Sequence, residues 1–591
     1  MHNSQKPPAH EPSGNHRAED TQGSPGPRSG AARRPQNRRR WALGGSLAAV
    51  LVVASVAGVT ALNGAPAPGG TVATSAAPAA TTASAPPSAP ATPTKRVYPP
   101  FDRPAYAQIP GLAAATEPVA ATTLDVQAEG TGAEMPEGMM GISFETDVMT
   151  DPRFEPGSST LVEQLKKLHK PVIRFGGQAV DRRFFWTSTN EPLPAWKLVP
   201  AFKNDVRPVI RVTPADLERI NRMAEAADAQ ILLTADLGHF DPERAADLAK
   251  HAQQIFGSRL LGITVGNEPN GYHFAGRPYQ ILRPADWDAG KFVTEYKDYS
   301  AAIAQNAPGV KIVGPGVFNI TWLRGFADLK DPNVSALSYH HYPMSDCGTQ
   351  AEDSPTINRI MSRAAVEHNR SFIEKMAEVA KGAGLPLWAT EGGISGCSGS
   401  NETTRTQASA LWTVVYAMTA AQAGVGQLDL HGALDACKGG PPTSPLCDSG
   451  AYRKPNGVIV GQANYFGMML VSALEPGTFR KISQSGSENI YSYAISHQDG
   501  SMSLVVVNQN DPKVSGQAPI TIKLPQAAAT ATMSQMTAPA FDSVALTRID
   551  GREDAGVPAS ERAKVPGFVE GTSTLELPLT SGTATVLNFS F

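Results

Sequence analysis

From about residue 136 the chain alternates short apolar runs with segments of helical periodicity. The runs are MMGISFE, PVIRFGG, QILLTADLG, LLGITVGNE, KIVGPGVF, ALSYHHYP, LPLWATEGG and VGQLDLHG. They are rich in Val, Ile and Leu and nearly continuous in hydrophobicity, as strands buried on both faces must be. Between them lie amphipathic stretches such as TLVEQLKKLH, ERAADLAKHAQQIF, FVTEYKDYSAAIAQ, EKMAEVAKGAG and QASALWTVVYAMTAAQ. Strand followed by helix, eight times over, predicts an α/β fold over residues 136–475: a closed parallel (β/α)8 TIM barrel ringed by helices. An open doubly wound sheet would carry a Gly-rich phosphate turn after an early strand, and none occurs. After about residue 476 the texture changes. YSYAIS, SMSLVVV, ITIKL and TATVLNFSF alternate apolar with polar positions, which predicts a C-terminal antiparallel β-sandwich over 476–591. TTLDVQ near residue 124 shares that texture, so the lead-in 101–135 is expected to give the sandwich a strand.

The first hundred residues read differently. Residues 1–40 are polar and rich in Pro, Gly and Arg, and cannot bury enough apolar surface to fold alone. Residues 41–62 carry no charge, and at about 1.5 Å each they reach roughly 33 Å, enough to cross a bilayer. The run Arg38, Arg39, Arg40 before them keeps the N-terminus cytoplasmic. A transmembrane signal anchor is the first reading and a cleaved signal peptide the second. Either way the folded part is expected to be exported, periplasmic or extracellular, and in the first case held at the inner membrane. Residues 63–100, largely Ala, Pro and Thr, read as a disordered linker. Export permits disulfides. Of the four cysteines, Cys437 and Cys447 enclose a short Gly/Pro/Ser loop and are the easiest pair, with Cys347 and Cys397 as complement. Sequence alone does not choose among the three connectivities.

Charge narrows the partners. With 51 basic against 54 acidic residues the formal net charge is -3, so there is no basic footprint for nucleic acid. Membrane contact is expected only through the N-terminal segment, and nothing in the chain points to an oligomeric state.

In a barrel of this kind the chemistry sits where the strands end. The first run ends with Glu145, and the second with Arg174, Gly176, Gly177 and Gln178. The fourth ends with Asn267 and Glu268, the sixth with His340, His341 and Tyr342, the seventh with Glu391 and the eighth with Asp429 and His431. Carboxylates on strands four and seven face each other across a barrel mouth. Retaining glycoside hydrolysis needs such a pair about 5–5.5 Å apart, while inverting hydrolysis needs a wider gap for a water. The acid must hold its proton near working pH and the nucleophile must stay ionised. Arg174 and a Tyr or His of strand six are placed to supply donors to the nucleophile. Asn267 beside the acid can bond a sugar 2-hydroxyl. The histidines could be ligands, but HHY has no dedicated metal geometry, and a sugar contact is the better reading. The chemistry needs no cofactor.

At these residues the sequence resembles glycoside hydrolase family 79, the β-glucuronidase and heparanase family, over roughly residues 120–591. The resemblance is carried by GISFETDVMTDPRF, RFGGQAVD, TVGNEPN, SYHHYP, WATEGG, LDLHG and NYFGMMLVSAL. It implies a retaining enzyme with Glu268 as acid/base and Glu391 as nucleophile. It implies that Glu145, Gln178 and Asn267 line the sugar site, that Tyr342 bonds the nucleophile, and that His340 or His341 stands nearby. It also implies a β-sandwich completed by an N-terminal strand.

One position departs from the family. Members that bind glucuronic acid hold its carboxylate in the loop after the nucleophile, with a Tyr five residues on followed by backbone N–H groups. Here that position is Gly396, although GISGCSGS still offers N–H donors from Cys397, Ser398 and Gly399 for an anion nest. Either another residue replaces the phenol or the preferred sugar is not a uronic acid. The readings are therefore an exo-acting β-glucuronidase first, a β-glucosidase or β-xylosidase-like enzyme on neutral sugars second, and an inactive carbohydrate-binding protein third.

Overall fold

The computed structural model describes residues 117–200, 207–345, 355–396, 405–437, 444–450, 456–552 and 562–591. All eight apolar runs form strands of one closed parallel barrel. In order they are Met140–Glu145, Val172–Gly176, Gln230–Ala235, Leu260–Val265, Ile312–Val317, Val334–His341, Leu387–Gly392 and Val425–Gly432. The eighth strand closes the circle on the first, with Asp429 opposite Gly141 and His431 opposite Ser143.

A helix follows each strand. Pro214–Ala227 opens on a capping box between Thr213 and Asp216, and Pro242–Phe256 opens on Asp241. Both satisfy the orphan N–H groups of a first turn. After the second strand two three-residue strands, Phe184–Trp186 and Ile210–Val212, pair in parallel. They are too short for periodicity to show.

The helix after strand seven, Gln407–Gln422, is apolar all round and buried up to Ala421. It lies between the barrel and the C-terminal sheet. At one end Gln407 donates to the Gly582 carbonyl at 3.0 Å, and at the other Thr419 meets the Tyr493 hydroxyl at 2.9 Å.

The C-terminal region departs from the expected sandwich. Its strands form a single ten-stranded sheet curled around its own apolar core, which includes Leu124, Leu504, Ile520, Leu577 and Phe589. The lead-in strand Thr122–Met135 is the reason. It pairs antiparallel with Gly477–Ser485 on one side and parallel with Gln517–Ala528 on the other, stitching two half-sheets into one. Met502–Asn508 is buried on both faces, so Leu504 and Val506 serve the sheet's core while Val505 and Val507 join the barrel's.

Cys437 and Cys447 are disulfide-bonded. Cys347, Cys397, Ser398, Gly399 and residues 1–116 lie outside the described residues. Among the described residues no helix is long and apolar enough to cross a membrane.

Candidate active site

Glu391 stands near the end of strand seven, where the register slips against strand six between Ala389 and Glu391. A bulge there turns a side chain toward the barrel interior. Buried to 6% exposure, Glu391 accepts from Arg174 Nη1 at 2.7 Å and from the Tyr342 hydroxyl at 2.8 Å. His431 Nδ1 lies 3.6 Å from it and His340 Nδ1 3.8 Å. Burial alone would raise its pKa. The opposing charges of His431, His340 and Arg174 outweigh burial and bring it down to about 2. Burial and the adjacent Glu391 carboxylate push the Tyr342 hydroxyl well above its ordinary value, so it remains a donor.

Glu268 sits just past strand four in the left-handed region, at φ 52. A non-glycine residue held there costs of order 1–3 kcal/mol and persists only where the surroundings enforce it. Its N–H donates to the Gly316 carbonyl at 3.1 Å, and its Oε1 lies 3.0 Å from His340 Nδ1. An oxygen of Glu268 and an oxygen of Glu391 approach within 4.8 Å. That falls short of the roughly 6.5–9.5 Å of inverting pairs and suits a retaining pair.

Alternation along strand six settles the histidines. His340 faces the carboxylates. His341 points outward, stacked on Phe372 at 3.9 Å and bonded to the Tyr416 hydroxyl at 2.8 Å. Burial, aided by His368, lowers His341 to about 3, so it stays neutral. Tyr342 then returns to Glu391, as a period of two requires.

Arg174 is fully buried and links the site together. It donates to Ser143 Oγ, Glu391 and Asn267 Oδ1, each at 2.7 Å. The Asn267 oxygen also accepts from Gly177 N at 3.1 Å. Two donors on that atom fix the amide's orientation, and the Asn267 Nδ2 group is left buried without a hydrogen-bond partner. Asn267's own N–H is held by Asp181 at 2.9 Å, and Asp181 also accepts from Leu237 and Gly238.

Glu145 accepts from Ala179 N at 2.7 Å and lies 3.9 Å from His431 Nε2. Burial raises its pKa, with His431 opposing. Gln178 keeps a buried Oε1 without a partner. One layer below, Asp429 is fully buried, with Oδ1 accepting from Gln427 at 2.8 Å. Burial pushes it up to about 8.

Glu268, His340 and Glu391 also form a cluster with metal-like spacing. Arg174 and Tyr342 already occupy Glu391's oxygens, which suits a carboxylate held for chemistry better than one held for a cation. Gly396 is exposed and passes over the Tyr342 ring, where an added Cβ would lie 3.7 Å from Tyr342 Cβ. Sequence reading had no view of Ser143 or Asp181. Asp181 closes the quoted motif RFGGQAVD, but its role depends on the fold bringing it beneath Asn267.

No family model and no curated relative matches the sequence. Solved structures do match in fold. A 4-O-α-L-rhamnosyl-β-D-glucuronidase from Fusarium oxysporum 12S superposes with a TM-score of 0.58 at 17% identity, covering 79% of this chain and 99% of that one. A GH51 arabinofuranosidase from Xanthomonas axonopodis pv. citri gives 0.57 at 13%, covering 80% and 100%. A monomeric β-xylosidase from Caulobacter crescentus CB15 gives 0.50 at 13%, covering 79% and 99%. At these identities the likeness establishes the architecture, barrel and sheet together, shared with glycoside hydrolases.

Proposed function

We propose that this protein is a retaining β-glycosidase. The observation that carries the reading is the carboxylate pair of Glu268 and Glu391 within 4.8 Å, the second held ionised by Arg174, Tyr342 and two histidines. In the first step a Glu391 oxygen forms a bond to the anomeric carbon while the glycosidic C–O bond breaks. The Glu268 proton passes to the departing oxygen. In the second step water attacks the same carbon, Glu268 takes its proton, and Glu391 leaves as carboxylate. Asn267 Nδ2, without a partner in the protein, is the donor we assign to the sugar 2-hydroxyl, a bond that strengthens in an oxocarbenium-like transition state.

β-Glucuronides are the first expected substrates, supported by the sequence motifs and by the glucuronidase among the fold neighbours. A neutral β-glycoside is the second reading. It is favoured by one observation: Gly396, beside Tyr342, brings no phenolic donor. The run of arginines and uncharged residues at 38–62 supports export of the enzyme.

A panel of chromogenic β-glycosides, followed by NMR of the first-formed product, tests the proposal. Hydrolysis with net retention of anomeric configuration is expected. Inversion, or hydrolysis of none of the panel, would overturn it.

A further inference from the structure

A second opening lies outside the barrel mouth. The helix Arg363–Ala383 and the sheet strands Gly477–Ser485 and Ile490–His497 enclose a cleft of about 860 Å³, within the range of ligand sites. Its lining carries four cations, Arg363, Arg370, Arg480 and Lys481, against two carboxylates, Glu367 and Glu488. A net positive surface is a local feature in a chain whose formal charge is -3.

The cations are not equally engaged. Lys481 is paired with Glu129 at 2.6 Å, and Arg480 donates to Ser496 Oγ at 2.6 Å. The helix arginines are held more loosely. Arg363 donates to the Glu488 backbone carbonyl at 3.3 Å but stands 3.9 Å from the carboxylates of both Glu367 and Glu488, and Arg370 stands 3.8 Å from that of Glu367. The separations from the carboxylates exceed hydrogen-bonding distance. Arg370 Nε has no hydrogen-bond partner. Tyr491, only 7% exposed, lines the same cleft with its hydroxyl unpartnered as well. Burial pushes that hydroxyl up to about 12, and Arg363 is the main group pulling it back, which places the guanidinium within electrostatic reach. The Tyr491 hydroxyl and Arg370 Nε are both closed to solvent and belong to the cleft wall, while the guanidinium ends of Arg363 and Arg370 are exposed.

Guanidinium forks match carboxylate and sulfate oxygens two at a time. Ser483, Ser485 and Gln484 along the wall offer donors and acceptors for hydroxyl groups. Arg363 and Arg370 lie in the first turns of a helix that returns from the face carrying Glu268 and Glu391.

We propose that this cleft is a second carbohydrate site, holding an acidic stretch of a glycan through Arg363 and Arg370 outside the catalytic centre. The choice of a sugar as ligand rests on the proposed glycosidase activity. The cationic cleft itself does not.

Calorimetry on the full chain carrying Glu391→Gln, so that nothing is consumed, tests it with a hexameric oligouronate, xylohexaose and inorganic sulfate as probes. Adding Arg363→Gln and Arg370→Gln should weaken oligouronate binding at least tenfold and leave xylohexaose unchanged. Glu367→Gln, which removes a competing carboxylate, should tighten oligouronate binding severalfold, a gain that misfolding cannot mimic. Equal oligouronate affinity with and without the two arginines would sink the proposal. So would sulfate binding as tightly as the oligouronate, which would make the cleft a simple anion trap. With Glu391 restored, the Arg363→Gln/Arg370→Gln enzyme should turn over small chromogenic glycosides at the parental rate, and a large loss there would place the arginines in the catalytic machinery instead. If the parental enzyme hydrolyses no glycoside, the proposed activity fails while the calorimetry still decides the cleft.

Discussion

The acidic residues of the barrel interior show how one fold sets opposite proton affinities a few ångströms apart. Glu391 meets a cation and a phenol and stays ionised. Asp429, one layer below, meets mainly Gln427 and is pushed up to about 8 by burial. The sign of its effect on stability follows. An unfolded Asp releases its proton near pH 4, whereas the folded chain retains it until about 8. Asp429 therefore costs nothing below pH 4, and its contribution turns progressively unfavourable as pH rises to about 8. Asp429→Asn should raise the melting temperature by a few degrees at pH 8 and change little at pH 4. Thermal melts across that range would show it, and an equal shift at both pH values would contradict the assigned proton. The Asp429 carboxylate fits only because its strand neighbour is a glycine, since a Cβ on Gly141 would fall 2.1 Å from its Oδ1.

At the scale of strands, the period of two does most of the positioning. Arg174 and Gly176 share a face of strand two, and a Cβ on Gly176 would fall 2.3 Å from Arg174 Nη2. The guanidinium cannot swing aside without giving up one of its three hydrogen bonds. Losing a charge-assisted bond costs about 1.5–3 kcal/mol, or roughly 10–100-fold in rate if it is felt in the transition state. Gly176→Ala should lower kcat on a chromogenic β-glycoside by that factor. Gly382→Ala, where an added Cβ meets nothing within 4 Å, should leave kcat unchanged. The same periodicity explains what the sequence revealed. Eight apolar runs located eight strands, and strand ends located Glu268, Glu391, Arg174 and Tyr342. Which of His340 and His341 faces inward depended on where strand six starts its alternation. Ser143 and Asp181 act through partners 31 and 86 residues away, and no local pattern carries that information.

For the molecule as a whole, the alternating pattern told which side of a strand is apolar, not which strand lies beside it. That is why the C-terminal region read as two stacked sheets and folds as one curled sheet. The joining strand, Thr122–Met135, leaves Gly477–Ser485 and Gln517–Ala528 without a common neighbour if it is removed. Exposed edges of that length invite association with other chains. The barrel shares the damage, because the buried helix Gln407–Gln422 is bonded to the sheet at both ends. A chain starting at residue 136 should be insoluble or melt without cooperativity, while one starting at residue 101 should behave as the parent. Soluble, active protein from the shorter chain would refute the dependence.

That same strand also sets a clock. The Thr122 hydroxyl accepts from Ser487, 365 residues later in the chain. At about 5–20 residues per second, a ribosome needs roughly 20–70 s to make the partner after the first strand has emerged. Through that interval the sheet has no centre and the helix against the barrel has no floor. The sheet therefore cannot close around Thr122–Met135 until both of its flanking strands have been made.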